Sequence, residues 1–467
     1  MTRDVDVIVI GSGQGGVPLA TTLAQEGRRV VLFERGKLGG TCVNAGCTPS
    51  KVFLAAAHHA GRSRRAQALG LRGRAQVDFP VVMERVREIV SSWRSGVEAR
   101  LMKAGVEIVA AQASFSGKRT LEGGGHCVRA PLVIIDTGGS AFIPAVQGLS
   151  EIQYLDNTTF FSQTSLPRSF IVIGGGYIGL ELGQGMSRSG SEVHIIHPHD
   201  RVLDAEEADA SSALEAALRD DGLRLHLGVR PLRAQKRNGR TVITLVDGSE
   251  VIGDAVLVAT GRRPNASALH CERAGIALDD HGYIAVDEEL RTSAEGVFAI
   301  GDVARQPAFT HVSWEDHRRV LDTLRGDLRR RDDRVLAYAT FTEPQIARAG
   351  LTIDQARAAG HDAIAVTLPL SSVARAVEWN EECGFYRMVV DRRDDRILGA
   401  TLVGYEAAEL VHVFIAHIGR GSTWRDLADA MHIHPTFAEG LPSLARLVPE
   451  ALGLRECTAA DKLLTKC

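Results

Sequence analysis

The stretch Asp6–Val7–Ile8–Val9–Ile10–Gly11–Ser12–Gly13–Gln14–Gly15–Gly16 decides the fold, together with the helical run to Gln25 and the strand Arg29–Phe33 closed by Glu34. An unbroken apolar run of four or five residues reads as a strand buried on both faces, as in a parallel sheet. The Gly-x-Gly-x-x-Gly that follows lies between that strand and a helix, the context that gives the motif meaning. Gly11 permits the turn, Gly13 lets the backbone approach a diphosphate, and Gly16 allows close packing of the helix. A diphosphate there meets unpaired N–H groups at the positive helix end. Glu34 stands 23 residues after Gly11, where an acid bonds a ribose hydroxyl.

The same grammar returns about 160 residues later. Ser169–Ile173 reads as a strand, Gly174–Gly175–Gly176–Tyr177–Ile178–Gly179 as the turn, Leu180–Ser189 as a helix and Glu192–Ile196 as the next strand. Gly174, Gly176 and Gly179 take the three glycine roles, so the chain carries two dinucleotide sites. The second unit departs at the position of the ribose acid, which is His197. An acid there selects NAD and an arginine accepts the 2′-phosphate of NADP. With Arg201 four residues on, the expectation leans slightly toward NADP.

Between and beyond these units, Val81–Ala104 reads as a long, partly exposed helix, and Glu107–Ala111 and Leu132–Asp136 read as strands. Ala255–Gly261 and Val297–Asp302 are apolar runs closed by glycine loops. From Phe341 alternating strands and an amphipathic helix at Glu406–Ile418 mark a last domain. The length of 467 residues fits two to four domains. Hydrophobic residues at 45% and charged residues at 24% exclude disordered and fibrous classes. A net charge of −3 gives no footprint for nucleic acid or an anionic membrane. No apolar run reaches bilayer length, and the opening residues carry no signal-peptide pattern. Seven cysteines are too few for a stapled secreted protein, so a cytoplasmic, reducing setting is expected.

Two of those cysteines lie in Gly39–Gly40–Thr41–Cys42–Val43–Asn44–Ala45–Gly46–Cys47–Thr48–Pro49–Ser50–Lys51. Four residues separate the thiols, enough for a disulfide in a turn or first helical turn. The positive end of the helix that follows favours thiolate and makes such cysteines reactive. Zinc would need a second Cys/His pair at ligand spacing, and none follows, so no metal site is assigned. His58 and His59 read as helix-surface residues. Near the end, His434–Pro435–Thr436–Phe437–Ala438–Glu439 has two readings. Thr436 and Glu439 fit a capping box, and Glu439 also suits a partner orienting His434 as acid/base for a thiol.

The segments Gly11–Gly16, Gly39–Lys51, Gly174–Glu181, Ala259–Asn265, Ile300–Ala304 and His434–Glu439 together resemble the pyridine nucleotide–disulfide oxidoreductases. These are FAD enzymes that include dihydrolipoyl dehydrogenase, glutathione reductase and mercuric reductase. The resemblance runs in order over essentially the whole chain. It implies an α/β protein with two Rossmann-like domains, for FAD at 1–145 and 268–340 and for NAD(P) at 146–267, plus a C-terminal α+β dimerisation domain at 341–467. The first glycine unit with Glu34 then resembles the FAD site, to which Thr41, Ala113, Thr137, Gly138 and Asp302 are added. Gly174, Gly176, Gly179, His197, Arg201 and Gly261 fall to the NAD(P) side. Cys47 matches the thiol facing the flavin and Cys42 the thiol that exchanges with substrate. Lys51 and Glu181 match an ion pair near flavin N5, and Tyr177 resembles a gate where nicotinamide enters. The His434–Glu439 segment resembles a dyad that reaches the partner's disulfide in a homodimer.

The activity so implied is a disulfide oxidoreductase like dihydrolipoyl dehydrogenase, acting on a small thiol or disulfide. Alternatives are a metal-ion reductase like mercuric reductase, a quinone reductase, or the flavoprotein subunit of a multienzyme complex. Cys127, Cys271 and Cys383 are expected to be structural, and Cys457 and Cys467 form an unassigned tail pair.

Overall fold

The computed structural model describes residues 1–453 and divides the chain into two compact units. The first comprises Met1–Phe53, Asp78–Leu166 and Val256–Asp333. The opening stretch forms β1 (Val7–Ile10), α1 (Gly16–Gln25) and β2 (Val30–Phe33), with every residue of both strands buried. β1 lies at the centre of a five-stranded parallel sheet, between β2 and Leu132–Ile135, with Val297–Ala299 and Glu107–Val109 at the edges. Burial on both faces is why these strands read as continuous Val/Ile/Leu runs rather than alternating ones. Each such side chain contributes about 1.5–3 kcal/mol when removed from water. After β2, Gly40–Ala45 forms α2 and Cys47–Arg65 forms α3. The long helix Phe79–Lys103 starts two residues before the expected Val81, because Asp78 caps it by accepting from Val81 N.

The second unit comprises Leu54–Val77, Pro167–Ala255 and Arg334 onward. It repeats the motif as β3 (Ser169–Ile173), α4 (Tyr177–Ser189) and β4 (Glu192–Ile196), with β3 and β4 parallel in register from Ser169/Glu192 to Ile173/Ile196. The unit also holds a five-stranded antiparallel sheet. It runs in the order Ala337–Thr340, Gln345–Gly350, Ile397–Gly404, Phe385–Asp391 and Ala363–Pro369. Helix Ala407–Gly419 buries Ala407, Val411 and Phe414 in the same core as Ala347, Ala349, Ala400 and Leu402 of that sheet. Its first strand, Ala337–Thr340, lies ahead of the boundary expected at 341.

His58 is not the surface residue expected. In the second unit its Nε2 bonds Phe341 O at 2.9 Å and its Nδ1 lies 2.8 Å from Arg188, and burial pushes its imidazole down to about 4. Arg188, with no exposed side-chain surface, also pairs with Asp221 at 2.8 Å and with Glu343. Burial alone would raise the Glu343 carboxyl, but Arg188, His58, Arg62 and Arg65 hold it down at about 2. Among the described residues no helix is long and apolar enough to cross a membrane. Cys457 and Cys467 lie outside the described residues.

Candidate active site

The first glycine loop is built on contacts that exclude any side chain. Gly11 has φ +99°, and a Cβ on Gly16 would stand 2.3 Å from Gly11 O. A Cβ on Gly13 would stand 2.6 Å from Asp136 Oδ2, so the loop rests directly on the buried Asp136. Asp136 accepts from Gly16 N at 2.7 Å and from the Ser313 hydroxyl at 3.2 Å. Burial outweighs both bonds and lifts its carboxyl to about 8. Glu34 closes the loop on the other side, where its Oε2 accepts from Ser12 N at 2.9 Å and Ser12 Oγ at 2.6 Å, and its Oε1 from Gly36 N at 2.8 Å. Ser12 Oγ in turn accepts from Gly39 N at 3.0 Å, which ties the loop to the cysteine segment.

Cys42 sits on α2 and Cys47 opens α3, both as free thiols. Cys47 Sγ lies 2.9 Å from the Thr310 hydroxyl at the start of helix Thr310–Leu324. The Cys42 thiol is pushed up, first by its hydrogen bond with Cys47 and then by burial, while Thr310 and the charge of Lys51 pull the other way. Thr310 was invisible in the sequence because it lies 263 residues from Cys47 and carries no motif. Asp302 is held by Arg262, whose Nε donates to it at 2.9 Å and whose other arm donates to Gly139 O. Gly138 has φ +63° and, like Gly261 at φ +133°, has no atom within 4 Å of an added Cβ. The hydroxyls of Thr48 and Thr137 are buried with no partner among the described residues, Thr41 is exposed and Ala113 is buried. A glycine cradle, an anchored acid after β2 and two orphaned hydroxyls fit the polar body of a dinucleotide such as FAD.

The second loop repeats the packing. Gly174 has φ +118°, and a Cβ on Gly179 would stand 2.1 Å from Gly174 O. In place of an acid, His197 Nδ1 accepts from Gly175 N at 3.0 Å, which puts its proton on Nε2, 3.3 Å from Asp204 Oδ1. Burial lowers its pKa. His197 is therefore a buried neutral support of the loop, and Arg201 is exposed, donating to Asp204 O at 3.0 Å. Tyr177 donates its hydroxyl to Glu206 Oε1 at 2.7 Å. Glu181 accepts from Phe341 N at 2.9 Å.

At the far end of the sequence, His434 Nδ1 lies 2.7 Å from Glu439 Oε2. Since a carboxylate only accepts, Nδ1 carries the proton and Nε2 is left as a base. His434 is 75% exposed. Thr436 Oγ1 accepts from Glu439 N at 3.2 Å, which is one half of the expected capping box, while the Glu439 carboxylate goes to the imidazole.

Residues 5–316 match the model of the pyridine nucleotide-disulphide oxidoreductases, and residues 336–445 match that family's dimerisation domain. The chain belongs to this family of FAD-dependent, NAD(P)-linked flavoprotein disulfide oxidoreductases. It is similar to a mercuric reductase of Staphylococcus aureus, 32% identical over 98% of this chain and 84% of that one. It is also similar to a dihydrolipoyl dehydrogenase of Thermus scotoductus, 34% identical over 95% of this chain and 97% of that one. Among solved structures, the HOCl-induced flavoprotein disulfide reductase RclA from Escherichia coli superposes with a TM-score of 0.87 at 30% identity, covering 95% of this chain and all of that one.

Proposed function

We propose that the protein is a homodimeric NAD(P)H:disulfide oxidoreductase that uses Cys42 and Cys47 on a small thiol or disulfide substrate. The observation that carries this reading is the pair of thiols beside Thr310 and Lys51, joined in the same unit to a complete dinucleotide loop. Bound FAD supplies two-electron exchange between NAD(P)H and the dithiol. Gly11, Gly13, Gly16, Glu34, Thr41, Ala113, Thr137, Gly138 and Asp302 would hold it. Gly174, Gly176, Gly179, Gly261, His197 and Arg201 would hold NAD(P), with a slight preference for NADP. Lys51 pairs with Glu181 in this reading, and Tyr177 gates nicotinamide entry.

A Cys42 thiol raised in pKa holds little thiolate at neutral pH, so it needs a base. His434 suits that role, with Nδ1 fixed by Glu439 and Nε2 free to take the proton, when it is supplied by a second copy of the chain. In the reductive direction Cys42 Sγ attacks one sulfur of the substrate disulfide, and the other sulfur leaves and is protonated by His434. Cys47 Sγ then displaces the mixed disulfide at Cys42, releasing the second substrate thiol and closing Cys42–Cys47.

His434→Gln should slow the disulfide half-reaction by about 10²–10⁴-fold and leave NAD(P)H-driven flavin reduction within a few-fold of wild type. Stopped-flow absorbance separates the two, and equal slowing of both would leave only the capping role. A turnover panel with lipoamide, oxidised glutathione, Hg²⁺ and a quinone tests the substrate class. The His434–Glu439 pair favours a dithiol such as dihydrolipoamide. The similarity to a mercuric reductase keeps metal-ion reduction as the second reading.

A further inference from the structure

Around Tyr177 in the second unit lies a cluster whose other members have no part in the reading so far. Glu206 lies on the segment between β4 and the helix Ala208–Asp220, and its side chain is completely buried. Its Oε1 accepts from the hydroxyl of Tyr177 at 2.7 Å and from that of Tyr338 at 2.9 Å, and its Oε2 pairs with Arg348 at 3.2 Å. The two tyrosine rings meet edge to face at 5.9 Å, and the Arg348 guanidinium lies 5.0 Å from the centre of the Tyr338 ring. Tyr177 is the first residue of α4, directly after Gly176, whereas Tyr338 and Arg348 belong to adjacent strands of the antiparallel sheet.

We propose that Glu206 is a positioning residue for coenzyme binding. It holds the Tyr177 ring against Tyr338 through the phenol hydroxyl. The proposal rests on the reading of Tyr177 as the gate to the nicotinamide site. The tether fixes the phenol in one rotamer at the first residue after Gly176, where the second glycine loop passes into α4. The backbone sets up the same arrangement, because Leu203 N donates to Gly175 O at 3.0 Å and folds the segment that carries Glu206 back over the loop. A hydrogen bond to a buried carboxylate favours one rotamer by roughly ten- to a hundredfold over an untethered ring. With the held rotamer as the binding-competent one, loss of the tether leaves only a fraction of molecules competent, and the apparent dissociation constant rises by the inverse of that fraction. Two strands of the antiparallel sheet thereby help set how readily the coenzyme enters.

The test is a cycle of variants in the FAD-loaded enzyme, read by titration calorimetry with oxidised NADP and NAD and by stopped-flow flavin reduction. Tyr177→Phe keeps the ring and removes only the tether, and Glu206→Gln keeps the shape and removes the charge. Each should raise the coenzyme Kd about three- to tenfold, and the double variant should raise it no further than either alone. Tyr338→Phe leaves the Glu206–Arg348 pair intact, so it reports even if Glu206→Gln folds poorly, and a smaller rise in Kd is expected from it. The disulfide half-reaction of Tyr338→Phe should change less than twofold. Additive effects of Tyr177→Phe and Glu206→Gln, or an unchanged Kd in both tyrosine variants, would overturn the tether. Tyr177→Ala separates this from the underlying reading, since no effect of that variant on flavin reduction overturns the gate itself and the tether with it.

Discussion

The two glycine loops share a backbone and part company at one side chain. In both, the first glycine has a positive φ and the third presses on its carbonyl, with 2.3 Å between an added Cβ on Gly16 and Gly11 O, and 2.1 Å between one on Gly179 and Gly174 O. In both, the residue after the second strand accepts from the N–H of the loop's second position, Glu34 from Ser12 and His197 from Gly175. The first loop thus ends on a carboxylate and the second on a neutral imidazole backed by Asp204. The fold requires an acceptor at that position, and the charge of the acceptor is left open for the ligand to decide.

The largest effects should come from the shared part. Gly16→Ala should yield protein purified largely without flavin. Gly179→Ala should keep its flavin while NAD(P)H-driven reduction falls by about 100-fold, the scale of overpacking by one methyl against backbone. Flavin-to-protein absorbance ratios and stopped-flow traces read the two, and loss of flavin from Gly179→Ala would break the assignment of one loop to each dinucleotide. Next, Glu34→Ala removes a carboxylate that accepts from three donors in the first loop, and flavin affinity should fall about ten- to a hundredfold. Third, His197→Glu makes the second loop like the first. The NADPH/NADH ratio of kcat/KM should then fall about tenfold, because a carboxylate repels a 2′-phosphate and welcomes a ribose hydroxyl. An unchanged ratio would mean that the coenzyme is read elsewhere.

The smallest effect sharpens the comparison through pH. Asp136 is raised by burial, so the native state holds its proton above the ordinary carboxyl range. The stability it contributes is complete below pH 3.8 and is lost as pH rises toward about 8. His197 is lowered by burial, so its contribution is complete above pH 6.5 and is lost as pH falls below that value. The flavin loop should therefore loosen on the alkaline side and the coenzyme loop on the acid side. Flavin release followed by fluorescence should rise toward pH 8 and flatten in Asp136→Asn. Coenzyme Kd should rise below pH 6.5 and flatten in His197→Gln.

Local sequence displayed what depends on spacing of a few residues. The glycine loops, Cys42 with Cys47, and His434 with Glu439 were legible because each is a short motif whose backbone reason is contained within it. Asp136 and Thr310 were not, because each acts on a motif more than a hundred residues from itself. His58 was misread because helical position alone does not reveal that Arg188 and Phe341 cover it. His197 was legible as a departure, but its direction was not. Only the geometry shows the imidazole turned to Gly175 N rather than outward.

The crowding at Gly16 and Gly179 has a consequence for how such a protein changes over generations. A lineage cannot add even one methyl at either site without moving backbone, so these positions are closed to drift. The residue after the second strand has no such restriction, since glutamate and histidine both satisfy the same N–H. One side chain there can therefore be exchanged while the packing of the glycine loop is inherited intact.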